Sequence, residues 1–199
     1  MNSNTNLFAD LEEKRGRLCN AAVEIFSHKS YDKTTVSEIA RKASVGKGTF
    51  YLYFSSKDDL LNFLLEYGIE RLINFVNNCL NDASTPLEKL DQAIDAQLRF
   101  FNMFNKYFTF FIRELWSYRE GLQEQIRRLK DKYIIIFDDI IEEGKSQGLF
   151  KNINTETVGS GIFGFLSISS FHWVLFAQDL TKEKVNNSIK EVIFNGIRL

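Results

Sequence analysis

The scarcity of turn-forming residues limits the folds open to this chain more than any other feature. Proline occurs once, at Pro86, and glycine eleven times in 199 residues. An all-β sandwich or barrel needs such residues between its many short strands, so the sequence predicts an all-α fold. The 44% hydrophobic content suffices for a sizeable core. The longest apolar run, Val158–Ala177, is broken by glycine, serine and histidine, and predicts a buried helix rather than a membrane span.

Apolar periodicity and capping patterns predict about nine helices, and the patterns include Thr35-x-x-Glu38 and Thr85-Pro86-Leu87-Glu88. The first three cover Leu11–His28, about Val36–Ala43 and about Gly46–Phe54, and they predict an N-terminal domain of residues 1–55. A larger helical domain, residues 56–199, is expected to follow. Its helices are predicted from Ser56 onward, from Pro86, within the phenylalanine-rich run Leu98–Trp116, and over Gly121–Gln147, Thr155–Gln178 and Thr181–Ile197.

Charge is distributed unevenly along the chain. The overall net charge is -1, but residues 14–57 contain nine Lys or Arg and three acids, a net charge of +6. A basic N-terminal segment on an otherwise acidic chain indicates nucleic-acid binding at one end only.

The stretch Gly46-Lys47-Gly48-Thr49 could hold a phosphate. A nucleotide-binding P-loop requires G-x-x-x-x-G-K-[ST] after a strand. Here the lysine precedes its glycine, the upstream glycine is absent, and a helix comes before. Two short helices separated only by Ser44 and Val45 fit a helix-turn-helix better, in which the second helix enters the DNA major groove.

The helix-turn-helix hypothesis assigns DNA contacts to the third helix and its surroundings. Lys47 can reach a base edge or a phosphate, and Thr49 a base or a thymine methyl. Tyr51 and Tyr53 can donate hydrogen bonds to phosphates, and Phe50 and Phe54 are assigned to packing. The candidate DNA-binding residues are Thr35, Lys47, Gly48, Thr49, Tyr51, Tyr53 and Lys57, the last at the N-terminus of the next helix.

Residues Ala21–Leu61, AAVEIFSHKSYDKTTVSEIARKASVGKGTFYLYFSSKDDLL, closely resemble the DNA-binding domain of the TetR family of transcriptional repressors. The shared pattern includes an Ile-Ala pair in helix two and the string K-G-T-x-Y-x-Y-F-x-S-K. Two positions depart from it, because Ser30 and Ser44 stand where the family usually has glycine. Serine adopts a positive φ at a higher cost than glycine, so the departures concern the geometry of the turns.

The resemblance also implies an architecture for the rest of the chain. In that family the last two helices form a four-helix bundle with a partner chain, which implies a homodimer through Thr155–Gln178 and Thr181–Ile197. The central helices enclose a ligand, and the aromatic content predicts a small hydrophobic or aromatic effector. The candidate effector-binding residues are Phe101, Phe104, Phe108, Phe111, Arg113, Glu114, Trp116, Tyr133, Phe137 and His172.

The sequence thus predicts a ligand-responsive DNA-binding repressor that leaves its operator when an effector binds. Cytoplasmic localisation is expected, because Cys19 and Cys79 show no paired spacing and no secretory leader is recognisable. Neither a catalytic constellation nor a Cys/His cluster is recognisable, so no cofactor, metal or membrane partner is expected. The alternatives are a constitutive dimeric DNA-binding protein without effector and a helical small-molecule enzyme.

Overall fold

The computed structural model describes residues 6–115, 122–176 and 181–199. Within those residues the chain forms nine helices, and the only strand-like pairing is an isolated bridge between Phe150 and Arg198. The all-α prediction is therefore confirmed. The helices are α1 Glu13–His28, α2 Val36–Lys42, α3 Lys47–Tyr53, α4 Lys57–Leu80, α5 Pro86–Met103, α6 Asn105–Leu115, α7 Gln123–Ser146, α8 Thr155–Phe176 and α9 Lys182–Ile197.

Several helices begin at the capping residues that the sequence predicts. Thr35 accepts a hydrogen bond from the backbone N–H of Glu38 at 3.2 Å, which satisfies a donor that the first turn of α2 leaves unpaired. At α5, Thr85 and Glu88 cap each other's backbone N–H groups at 3.2 and 3.1 Å. Pro86 occupies the first helical position, where its missing N–H costs nothing.

The predicted helix ends agree with the structure to within a few residues. Helix α1 begins at Glu13 rather than Leu11, and α7 begins at Gln123 rather than Gly121. The predicted end of α8, Gln178, lies outside the described residues. The phenylalanine-rich run is divided at Phe104, between α5 and α6, although neither proline nor glycine stands there.

The described residues fall into two compact units. Unit one comprises those of 1–71 and 103–119, and unit two those of 72–102 and 120–199. The predicted functional boundary near Ser56 is not tested by this division and stays a prediction.

Unit one has an aromatic and aliphatic core. Leu18, Phe26, Phe50 and Leu64 are almost fully buried, and the Phe26 ring stacks on Phe110 with centroids 5.5 Å apart. This contact joins α1 to α6. The core of unit one therefore includes residues of α1, α3 and α4 together with α6, which lies more than 50 residues beyond α3 along the chain.

Unit two is built on α5, α7, α8 and α9. Tyr133 is completely buried, and its hydroxyl donates to the Gln97 side-chain oxygen at 2.7 Å. On the outside, the Lys190 ammonium group contacts the carboxylates of Asp91 and Asp95 at 2.8 Å each, which ties α9 to α5. The helices of the described residues include none that is sufficiently long and apolar to span a bilayer.

Candidate DNA-binding surface

The turn between α2 and α3 adopts a left-handed conformation at Ser44, whose φ is 54°. The N–H of Val45 donates to the Ala40 carbonyl and that of Ser44 to the Arg41 carbonyl, each at 3.0 Å. This pair of bonds is the Schellman motif that closes many helices, usually with glycine at the left-handed position. Serine thus takes the strained conformation at one of the two positions where the TetR pattern has glycine.

Arg17 of α1 stabilises this turn from outside. Its Nε donates to the Ala43 carbonyl at 2.9 Å and its second guanidinium nitrogen to the Ser44 carbonyl at 2.8 Å. Carbonyls at the end of a helix have no partner within the helix, and the cation also interacts favourably with the negative end of the helix dipole. The sequence alone does not indicate this contact, because nothing in the local pattern connects residue 17 to residues 26 and 27 positions away.

Helix α3 has one buried and one exposed side. Phe50 is completely buried, and Phe54, directly after the helix, is 2% exposed, as the packing assignment predicts. Lys47, Gly48 and Tyr51 are exposed on the other side, and Thr49 is half-buried. The predicted base-contacting residues of α3 are therefore accessible to DNA. The exposed side also includes Leu52, which the sequence analysis did not single out.

Besides Thr35, whose side chain caps α2, two further candidate DNA contacts are engaged within the protein. The Lys57 ammonium group donates to the carbonyls of Tyr31 and Thr34 at 2.8 and 2.7 Å and lies over the Tyr31 ring. The Tyr53 hydroxyl donates to the Glu12 carboxylate, and this hydrogen bond raises the pKa of Tyr53. Both side chains thus have structural partners at the surface of unit one, and their contacts to phosphate stay predictions.

The candidate effector-binding residues are divided between the two units. Phe104, Phe108, Phe111, Arg113 and Glu114 lie in unit one, and Phe101, Tyr133, Phe137 and His172 lie in unit two. Trp116 lies outside the described residues.

Most of these candidates have structural surroundings that do not require a ligand. Phe108, Phe111, Tyr133 and Phe137 are at most 3% exposed. Arg113 donates to the Phe26 and Ser27 carbonyls at 2.9 and 3.1 Å, near the end of α1. Their roles toward an effector stay predictions.

Unit two contains two described cavities. The smaller, of about 90 Å³, lies among α5, α8 and α9 and is lined in part by Phe101, Trp173 and the buried Ser170 hydroxyl. The larger, an open groove of about 420 Å³ between α8 and α9, is lined in part by Phe165, Ile168 and His172. Phe101 and His172 therefore line different cavities. In the described parts of the chain, no three His, Cys, Asp or Glu side chains gather as a metal site would require.

Comparison with known proteins identifies both parts of the chain. Residues 18–63 match the family of bacterial regulatory proteins of the tetR type, and residues 83–197 match the tetracyclin repressor-like C-terminal domain. The second match alone spans more than half of the chain. The chain belongs to the TetR family. It is accordingly a ligand-responsive DNA-binding transcriptional regulator, as the sequence predicts.

Individual TetR-family relatives match over nearly the whole chain. The fatty acid metabolism regulator protein of Bacillus subtilis (strain 168) is 27% identical over 191 residues, which cover 94% of this chain and 98% of the relative. Among solved structures, the fatty acid degradation regulator FadR from Bacillus halodurans superimposes with a TM-score of 0.85 at 25% identity, covering 94% and 97% of the two chains. FadR from Bacillus subtilis in complex with stearoyl-CoA gives a TM-score of 0.82 at 27% identity, covering 92% and 98%.

Proposed function

We propose that this protein is a dimeric repressor that binds an operator through α3 and releases it when a fatty acyl-CoA binds. It acts in the cytoplasm as a regulator and has no catalytic activity. The observation that carries the proposal is the full-length similarity to fatty acid regulators, one of them solved with stearoyl-CoA. That ligand favours an acyl chain, which is the hydrophobic alternative within the predicted hydrophobic or aromatic effector.

The DNA-binding part of the proposal is supported by the surface of unit one. Residues 14–57 have a net charge of +6, and α3 presents Lys47, Gly48 and Tyr51 to solvent. Such charge supplies the sequence-independent attraction to phosphates, while side chains at the start of a recognition helix read base edges. We infer that each protomer inserts α3 into the major groove of one half-site.

The dimeric part of the proposal is supported by α8 and α9. These helices leave large apolar side chains exposed: Phe165 at 38%, Ile168 at 46% and Val192 at 59%. A β-carbon added at Gly161 or Gly164 of α8 would meet no atom within 4 Å, so the helix surface there is open to close approach. Two such faces, one from each protomer, would bury this surface in a four-helix bundle.

The effector part of the proposal requires a difference between two states. An acyl-CoA shifts the equilibrium away from the DNA-bound state only by its differential affinity for the two states. A tenfold loss of operator affinity corresponds to about 1.4 kcal/mol of coupling. By reciprocity, the operator must weaken acyl-CoA binding by the same factor.

Equilibrium binding tests the DNA contact. A duplex selected from a random pool is titrated with wild-type protein, with Lys47→Ala and with the control Lys132→Ala, an exposed lysine of α7. Lys47→Ala is expected to weaken binding, and to flatten the salt dependence if Lys47 contacts a phosphate. Lys132→Ala should bind as wild type does. Unchanged binding by Lys47→Ala would count against the assignment of α3.

A second titration tests the effector. Stearoyl-CoA is added to the preformed complex of wild-type protein and duplex, with free coenzyme A at the same concentration as the control. We expect the acyl thioester to release DNA and coenzyme A alone to have a smaller effect. Retention of DNA at saturating stearoyl-CoA, shown to bind by a thermal shift, would refute this effector while leaving the DNA-binding proposal standing.

A further inference from the structure

Leu52 is an apolar side chain in an unexpected position. It is 81% exposed. Among the large hydrophobic side chains of the described residues, only that of Leu199, at the C-terminus, is equally exposed. It lies in α3, on the side opposite the buried Phe50. An exposed leucine contributes nothing to the core of unit one, so the fold itself does not account for its presence in the recognition helix.

Gly48 lies one helical turn before Leu52 and is equally unexplained by the fold. A β-carbon built on Gly48 would meet no atom within 4 Å. Its φ is not positive, since the described residues with positive φ are Ser44 and Gly148. Neither packing nor backbone conformation therefore requires glycine here, although glycine weakens a helix relative to alanine.

The two residues lie side by side on the outer surface of α3. Residues four apart are neighbours on a helix, and a helical side chain leans over the turn that precedes it. The Leu52 side chain thus extends toward the bare backbone at Gly48. The outer surface of α3 combines an apolar side chain with an adjacent open space.

This shape fits one feature of the DNA major groove. Thymine alone among the four bases presents a methyl group there, and apolar side chains contact it. Leucine has no hydrogen-bonding group with which to read any other base edge. We propose that Leu52 recognises a thymine methyl in each operator half-site, with Gly48 leaving the space that this methyl occupies. The inference rests on the proposed function.

The contact can be tested by removing the methyl from the DNA alone. The selected duplex is prepared with each thymine in turn replaced by deoxyuridine, symmetrically in both half-sites, and titrated with full-length wild-type protein and Leu52→Ala. For wild type, one replacement is expected to weaken binding about fourfold per half-site, the worth of one buried carbon. For Leu52→Ala, the same replacement should have almost no effect.

A control variant separates this effect from a general loss of apolar surface. Ile135 of α7 is 54% exposed and lies in unit two, so Ile135→Ala should discriminate thymine from deoxyuridine as wild type does. Thermal unfolding of each variant checks that it is folded. Since Leu52 is exposed, Leu52→Ala is expected to unfold within a few degrees of wild type.

Two outcomes would overturn the inference. Leu52→Ala could retain the full discrimination between thymine and deoxyuridine, which together with an equal loss of affinity for both duplexes would mean that Leu52 packs on the sugar-phosphate backbone. Alternatively, no thymine replacement could affect wild type. Failure of wild type to bind any duplex would instead refute the proposed function, and the inference with it.

Discussion

Replacing Gly48 with alanine is expected to strengthen the fold and weaken DNA binding. Glycine within a helix costs about 0.5–1 kcal/mol relative to alanine, and the added β-carbon meets no atom within 4 Å. Because Gly48 is the second residue of α3 rather than a central one, the gain in the free energy of unfolding should be at most that difference. For a chain of 199 residues, it corresponds to a rise in Tm of about 1–4 °C.

The same methyl group should obstruct DNA. If the backbone of α3 approaches the major groove closely at Gly48, an extra carbon crowds a packed interface at a cost of about 1–3 kcal/mol. That free-energy cost corresponds to a five- to 150-fold loss of DNA affinity per contact. A variant that raises Tm while weakening DNA binding has not lost affinity through unfolding, so the combination would place Gly48 in the interface.

Thermal unfolding and fluorescence anisotropy with the selected duplex measure the two effects. Lys132→Ala is the control, because Lys132 is an exposed residue of α7, outside the helices assigned to DNA binding and to the dimer. The control should unfold no lower than wild type and bind DNA unchanged. A lower Tm for Gly48→Ala would contradict the open surroundings of Gly48, and unchanged DNA affinity would exclude it from the interface.

Three further predictions concern the turn, the surface of unit one and the cysteines. Ser44→Gly should raise the free energy of unfolding, measured by thermal unfolding, by about 0.5–1 kcal/mol, because a left-handed L-residue costs about 1–2 kcal/mol and the greater entropy of glycine in the unfolded chain offsets part of the gain. Destabilisation would contradict the φ of 54° at Ser44. Glu12→Gln should tighten DNA binding severalfold at low salt and less at high salt, because the substitution removes a negative charge beside the Tyr53 hydroxyl. Weaker binding in the anisotropy titration would contradict this and show that Glu12 supports the DNA-binding surface. One thiol per native chain should react quickly with a thiol reagent at pH 8, because Cys79 is only half-buried. Cys19 is buried, and burial raises the pKa of the Cys19 thiol to about 12. Rapid reaction of two thiols per chain would contradict the packing around Cys19.

Most of the fold could be predicted from local patterns in the sequence. The nine helices follow from apolar periodicity, and the cap at Thr35 and the box at Thr85 involve residues three apart, which a sequence displays directly. The serine at position 44 could be singled out because the TetR pattern has glycine there, and serine adopts a positive φ at a higher cost than glycine. The order of elements and the assignment to the TetR family rest on this kind of information.

Contacts between residues far apart in the chain could not be predicted from the sequence. Lys57 and Tyr53 match the polar pattern of a DNA surface, yet their partners lie 23 to 41 residues away and became visible only in the folded chain. The effector candidates illustrate the same limit, because a phenylalanine that fills a core and one that lines a cavity have the same periodicity. Leu52 was overlooked because its exposure on α3 became visible only in the folded chain.

The central claim is that two copies of α3 bind one operator. Selection of duplexes from a random pool with the full-length protein, followed by footprinting of the enriched sequence, tests it most directly. The account predicts two inverted half-sites whose centres lie about one helical turn apart, or a multiple of it, with protection lost for Gly48→Ala. Enrichment of no sequence, or of a single unpaired half-site, would contradict it.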